Sequence, residues 1–418
     1  MKLIKSREVI QIVRNMLNLI DVRLVHHGER VTFLCVKILE HLHYSQEDIY
    51  LCAKLALFHD IGAYKTDEID NMLTFESHDV WEHAIYGYLF LSRLSPLAAY
   101  ADCVLFHHLD YEKLLTVDCS QLEMTSLIHM CDRIDVLLQS GVMVDQQFFD
   151  KTVDKKFMKK FVDAFYELDQ NHHLLQQLVN HQYHQDIDEL FESYIFSDDE
   201  KYMYLCMMAY SIDFSSEFTV VHTIMTTSLA VEIAKFCGMN DLEIEKIYYG
   251  ALLHDIGKAA IPISILEKPG KLTEEETRIM QTHVEISEEV LKGHLPDDIL
   301  QIAIRHHEKL DGSGYPRRLC KDDLTLSECI VAVADILSAL LGKRSYKSEL
   351  SIEQAIEIVQ DMANKGLISK EVVSVFVDNY HQIIKNVKDN SKEIQQIYLA
   401  MNEDYVSIYK RLEEYNLL

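Results

Sequence analysis

Turn-forming residues are scarce in this chain: 5 prolines and 13 glycines punctuate 418 residues. That is too few for a fold of many short strands and tight turns. Basic residues are also thin, 40 Lys and Arg against 67 Asp and Glu, giving a formal net charge of -27. A protein that grips nucleic-acid polymers gathers the opposite sign to neutralise phosphates, so that class is set aside. A small anionic substrate stays open, provided positive charge, metal included, is concentrated in a pocket. The nine cysteines make no C-x-x-C pair and no even disulfide framework, and the start, MKLIKSREVI, has no apolar signal-peptide core. The expectation is a reduced, cytoplasmic protein. No stretch reaches the roughly 20 apolar residues of a membrane helix. The richest, around 85–108, is broken by Arg93, Pro96 and Asp102, so no membrane insertion is expected.

What is present is a motif written twice. His27 and the pair His59-Asp60 recur 195 positions later as His222 and the pair His254-Asp255, with 32 residues from the first His to the second in both copies. Each copy continues with one His (His83; His283), an adjacent His pair (His107-His108; His306-His307) and an Asp (Asp132; Asp335). An internal repeat governs the domain count, and this one predicts two homologous domains.

Apolar residues recur at three- and four-residue spacing nearly throughout, as in Val9-Ile12-Val13-Met16-Leu17-Ile20. Such stripes are the buried faces of amphipathic helices, and the chain is predicted to be all-α. The expected organisation is a first domain over 1–148, a helical connector over 149–200, a second domain over 201–385 and a C-terminal helix over 386–418. That last segment alternates Lys, Glu and apolar residues, as does a solvated helix docked by one face or a helix that dimerises.

A lone histidine in an apolar helix is ordinarily a core residue. Seven ligand-type positions in one order, twice, call for another explanation. Within LCAKLALFHDIGA and IYYGALLHDIGK, adjacent His and Asp project about 100° apart on a helix close to its end at the following Gly. They can serve two neighbouring ions, the Asp bridging them. Imidazoles with carboxylates suit Fe, Mn, Zn, Co or Ni better than Ca or Mg. Paired ions of this kind activate water and neutralise charge on a phosphoryl group, so phosphoester hydrolysis is the reaction class expected.

The motifs HDIGK (254–258) and HHEKLDGSGYP (306–316), followed by VAVADILSAL and KRSYK, resemble the HD-GYP subgroup of the HD superfamily of metal-dependent phosphohydrolases. The resemblance runs to about residue 385 and implies tandem helical HD-type domains joined by a helical connector. Members of that subgroup hydrolyse cyclic di-GMP or related cyclic dinucleotides to linear products. Cyclic di-GMP is therefore the substrate expected first, at a dinuclear centre with Fe or Mn favoured and Ni, Co or Zn as alternatives.

Carried over residue by residue, the resemblance makes His222, His254, Asp255, His283, His306, His307 and Asp335 the metal ligands, with Asp255 bridging and catalytic. Lys258 matches a lysine that contacts the substrate phosphate, while Arg344 and Lys347 stand where the family has further phosphate contacts. Such cations make charge-assisted contacts that strengthen as phosphoryl charge grows. Gly312, Gly314, Tyr315 and Pro316 form a turn-rich loop beside the His pair, with Gly314 and Tyr315 expected at the substrate. Asp311 is expected to orient ligands or this loop.

The chain also departs from the family pattern. A Glu used by some members for a third ion is Phe218 here, with Glu217 out of phase, so two ions are expected. Ser287 replaces a glycine, Ser338 the second Asp of D-x-x-D, and Ser345 a proline.

The N-terminal copy has a complete set for a second metal site: His27, His59, Asp60, His83, His107, His108 and Asp132. It keeps the glycine as Gly87 but has Ala63 in place of Lys258, LDYEK in place of the GYP loop and Gly141 in place of Arg344. Lys65, two residues beyond Ala63, is read either as a substitute for the missing lysine or as a surface cation. This half is read as an accessory or regulatory HD domain, with up to two further ions. Two alternatives stay open: the N-terminal half is a second phosphohydrolase on another phosphoester, or the whole chain is a non-catalytic cyclic-dinucleotide sensor. A homodimer or a signalling-protein partner is left open as well.

Overall fold

Several helix starts in this chain are set by reciprocal side-chain caps. Asn240, Thr325 and Ser351 each accept a backbone N–H three residues on, and Glu243, Glu328 and Gln354 return the bond. Each cap satisfies donors the helix itself leaves orphaned, worth about 1 kcal/mol apiece. The computed structural model describes residues 3–19, 21, 24–65, 72, 81–142, 144–213, 219–342 and 350–417, apart from the side chains of 65, 146, 147, 213 and 219–221. Among the described residues the chain is helical, with no strand beyond two isolated β-bridges. The all-α expectation holds. None of the described helices is long and apolar enough to cross a membrane.

The chain divides into two compact units, one of Lys5–Met207 with Met401–Leu418, the other of Met1–Ile4 with Met208–Ala400. In the first, numbering helices of eight residues or more, α1 is Ser6–Leu17, α2 His27–His41, α3 Gln46–Leu57, α4 Trp81–Leu94, α5 Leu122–Gln139, α6 Lys159–His172 and α7 Tyr183–Ser193. Helix α2 is central: α3, α5, α6 and α7 all pack on it. The residues between 149 and 200 thus build part of this unit's core, through buried Phe157, Phe161, Phe165, Tyr183 and Phe191. Each aromatic so buried contributes roughly 1.5–3 kcal/mol.

The second unit repeats the arrangement. After α8 (Asp198–Asp213), its helices are α9 Thr219–Phe236, α10 Asp241–Leu252, α11 Glu274–Gln281, α12 His283–Leu291, α13 Asp297–Ile304, α14 Leu326–Leu341, α15 Ile352–Asn364 and α16 Lys370–Glu414. Helix α9 packs on α10 and α14, as α2 does on α3 and α5. Leu229, Ile233, Ile247, Val331 and Val333 lie at the centre of the core.

Helix α16 continues through residue 386 without a break. Val372, Phe376, Ile383 and Val387, at helical spacing, join the second unit's core. Its end belongs to the first unit, where Met401 and Leu412 are buried, Arg93 Nη2 lies 2.5 Å from Asp404 and the Trp81 indole donates to the Leu417 carbonyl.

Candidate metal centres

The two His-Asp pairs stand at helix ends. His254 and Asp255 follow α10 and precede a short 3-10 turn, Ile256–Ala260; His59 and Asp60 sit likewise between α3 and the turn Ile61–Lys65. The sequence expectation put each pair on the helix near its end. The structure puts it just past that end, because the Lys258 N–H closes a tight turn on the Asp255 carbonyl, as Ala63 does on Asp60.

The glycine that follows is a packing requirement. A Cβ on Gly257 would stand 2.0 Å from the His283 carbonyl oxygen, and one on Gly62 1.9 Å from that of His83. Only glycine lets the turn close on the helix that carries the third histidine. Ser287, the departure from glycine, is absorbed usefully: its Oγ accepts from the Gly257 N–H at 2.9 Å.

All seven C-terminal positions converge, and the two oxygens of Asp255 divide them. Asp255 Oδ2 lies 3.6 Å from His222 Nε2 and 3.0 Å from His254 Nε2. Oδ1 lies 3.3 Å from His283 Nε2 and 3.8 Å from His306 Nε2. Asp335 spans the same gap, Oδ1 3.0 Å from His222 and Oδ2 3.7 Å from His307. The N-terminal set repeats this. Asp60 Oδ2 faces His27 and His59 at 3.5 and 3.3 Å, Oδ1 faces His83 and His107 at 3.7 and 3.4 Å, and Asp132 spans His27 and His108.

Ring orientation is fixed from behind. Nδ1 of His254, His283 and His306 donates to the carbonyls of Ala251, Met280 and Ala303 at 2.6–2.7 Å, leaving Nε2 to face inward. His59 and His107 do the same with Ala56 and Val104. His222 instead uses Ser338. With its proton on the Asp335 carbonyl, Ser338 Oγ accepts from His222 Nδ1 at 2.8 Å. At the matching N-terminal position Asp135 accepts from His27 Nδ1 at 2.7 Å and is held by Arg30. Such partners set the tautomer and raise the basicity of a metal-binding imidazole.

Several of the protonation states suit a cation. Burial drives His306 and His307 toward the neutral form, His307 to about 4. Burial opposes the ionisation of Asp255, yet the charges of His254 and Lys258 hold it well below the usual carboxylate range. Asp255 Oδ1 and His254 Nε2 are buried without a hydrogen-bond partner, as are Asp60 Oδ1, His107 Nε2 and His108 Nδ1. Unpaired buried polar atoms are costly, and donor atoms of this kind converging twice fit divalent transition metals.

Around the C-terminal centre, Lys258 Nζ lies 2.5 Å from Asp255 Oδ2. The loop after His307 closes over the same region. A Cβ on Gly314 would collide with the backbone of Glu308 and Lys309 at 2.4–2.7 Å, and the Tyr315 ring lies 4.7 Å from that of His307. Buried Glu308 holds the loop by accepting the N–H groups of Arg317 and Leu319. Asp311 is exposed and accepts from Ser313, so its contact is with the loop. Arg344, Lys347, Ser345, Phe218 and Glu217 lie outside the described residues, as does the Lys65 side chain.

Sequence reasoning missed two residues of the N-terminal centre. Arg133, fully buried, reaches Asp132 with Nη2 at 2.7 Å and Nε at 3.1 Å. Asp135 was visible as the second Asp of D-x-x-D in this half, and Arg133 stands inside the same motif. Both signals were available in the sequence.

An HD-domain model matches residues 24–136 and a second HD-domain model residues 207–372. A 3'3'-cGAMP-specific phosphodiesterase of Vibrio cholerae is 28% identical over 406 residues, 91% of this chain and 93% of that protein. A cyclic di-GMP phosphodiesterase of Thermotoga maritima is 42% identical over 161 residues, 37% of this chain but only 43% of that protein. Among solved structures, a cyclic GMP-AMP specific phosphodiesterase of V. cholerae (V-cGAP3) shares the fold at TM-score 0.58 and 18% identity, covering 90% of this chain and 98% of that one.

Proposed function

Because this chain belongs to the HD superfamily of metal-dependent phosphohydrolases, with an HD domain in each half, we propose that its C-terminal centre hydrolyses a cyclic dinucleotide to the linear product. The observation that carries this reading is the division of labour at Asp255, whose two oxygens face separate pairs of imidazoles. In this reading His222, His254, Asp335 and Asp255 would hold one divalent ion. His283, His306, His307 and Asp255 would hold the other, with Fe or Mn favoured. When bound, such a pair supplies an activated water and neutralises the charge that gathers on the phosphoryl oxygens.

The chain's own residues do the rest. Lys258 keeps a cation beside Asp255, where a phosphate oxygen competes for it through a charge-assisted bond. Tyr315 walls the centre against His307, and Gly314 keeps the loop backbone close. Arg344 and Lys347 supply further phosphate contacts in this reading. Cyclic di-GMP and 3'3'-cyclic GMP-AMP are the substrates to try first, the V. cholerae relative of matching length being named for the latter.

The test is anaerobic purification, loading with Fe(II) or Mn(II), and product analysis on cyclic di-GMP, 3'3'-cyclic GMP-AMP and cyclic di-AMP. Wild type is compared with Asp255→Ala and Asp60→Ala. Turnover lost only in Asp255→Ala is the expected result. All three substrates left intact by metal-loaded wild type would overturn it.

A second reading concerns the N-terminal centre alone. Its complete donor set, with Arg133 beside Asp132, favours a phosphohydrolase acting on another phosphoester. Unchanged activity of Asp60→Ala across a phosphomonoester panel would remove it.

A further inference from the structure

Outside both centres, one more group of ligand-type side chains converges among the described residues, in the unit that contains α2. Nδ1 of His26 lies 2.9 Å from Glu29 Oε1, and Nδ1 of His184 lies 3.0 Å from Glu29 Oε2. One ligand atom from each of the three falls within 4.8 Å of the others. Glu29 is buried, while both histidines are about one-third exposed, at 36% and 38%. None of the three belongs to the repeated motif.

Hydrogen bonds hold His26 in this arrangement. The His26 backbone N–H donates to Asn18 Oδ1 at 2.7 Å, which fixes the amide so that Asn18 Nδ2 is the atom 3.3 Å from His26 Nδ1. Nδ1 either accepts from that amide or, as N–H, donates to Glu29 Oε1 at 2.9 Å, and the shorter, charge-assisted contact to the carboxylate favours the second. A divalent cation bound here would take the place of that proton. Arg14 contacts Glu29 at 2.6 Å, but its other Nη is engaged by Asp188, so its charge is shared between two carboxylates.

We propose that His26, Glu29 and His184 form a separate mononuclear zinc site. Two imidazoles and one carboxylate, with a fourth position on the solvent side, make a donor set that zinc accepts. Bonds of about 2.0–2.1 Å put tetrahedral ligand atoms about 3.3 Å apart, and each histidine's Nδ1 already lies within 3.0 Å of a Glu29 oxygen. The ion clips α7 onto the entry of α2, one residue before His27. It thereby ties the segment after residue 149 to the N-terminal centre across 155 positions of sequence.

The test counts zinc in the full chain. Protein is stripped with chelator and refilled with Zn2+ alone, in an Asp60→Ala background that disables the adjacent centre, with and without His184→Ala. One zinc ion fewer per chain in the His184→Ala protein is expected, with loss of a zinc-dependent rise in Tm. His26→Gln is measured in parallel and carries the same test should His184→Ala fail to fold. An equal zinc count in the parent and in the folded variants overturns the proposal.

Discussion

Ser338 Oγ accepts the Nδ1 proton of His222 at 2.8 Å, in the place where the N-terminal domain sets Asp135 against His27. A hydroxyl thus does the orienting work of a carboxylate, supported by Thr226 at 2.6 Å. Ser338→Ala is expected to weaken metal binding at the C-terminal centre about 10- to 100-fold, the usual cost of losing such a partner. Ser338→Asp is expected to retain binding. Chelator competition on the two variants decides it, and equal affinities would show that Ser338 orients nothing.

Gly257→Ala is expected to cost the C-terminal domain at least about 3 kcal/mol, the upper end of overpacking penalties, because its Cβ meets the His283 carbonyl at 2.0 Å. Metal at the C-terminal centre should be lost while the N-terminal complement stays. Metal counts with a Tm scan check this, and an unchanged count would mean that the turn relaxes freely.

Metal uptake should depend on pH in a definite direction. Burial lowers the His222 pKa, but its bonds to Asp255 and Asp335 outweigh that and raise it to about 9 in the metal-free protein. At pH 7 the ring is therefore protonated, and an ion must displace that proton. Apparent affinity should rise by about tenfold per pH unit below pH 9 and then level off. Calorimetry in buffers of different ionisation enthalpy reads the released proton; a pH-independent affinity from 6 to 9 would contradict it.

Glu308→Gln turns one of two acceptors on the loop backbone into a donor facing the N–H of Arg317 or Leu319. The cost is about 1–3 kcal/mol of loop order. The expected signature is a raised KM with metal content unchanged. Steady-state kinetics beside metal analysis would show it, and an unaltered KM would detach the loop from substrate binding.

The ligand positions were legible because their spacing repeats, and spacing along a helix end is local information. Contacts made across long stretches of sequence were not. The D-x-x-D spacing marks Asp135, but it does not say that this carboxylate will meet His27 across 108 positions, or that Ser338 will take over that duty for His222. The place of His254 and Asp255 past the helix end follows from the close approach of Gly257 to α12, a tertiary fact. The residues from 149 to 200 read as a connector, and their burial on α2 depends on where α6 and α7 fold back. The charged pattern after 386 was compatible with a docked helix; the continuity of α16 and its bonds to Trp81 and Arg93 gave the docking surface.

The carbonyls that aim His254, His283 and His306 belong to Ala251, Met280 and Ala303, each in the last turn of a helix. Those turns hold carbonyls with no partner inside the helix, so the imidazoles that face the centre also cap the helices behind them. Fraying of a helix end and loss of a ligand are therefore one event. Whatever occupies the centre should slow amide exchange in the final turns of α10, α11 and α13 together, three segments far apart along the chain acting as one cooperative element.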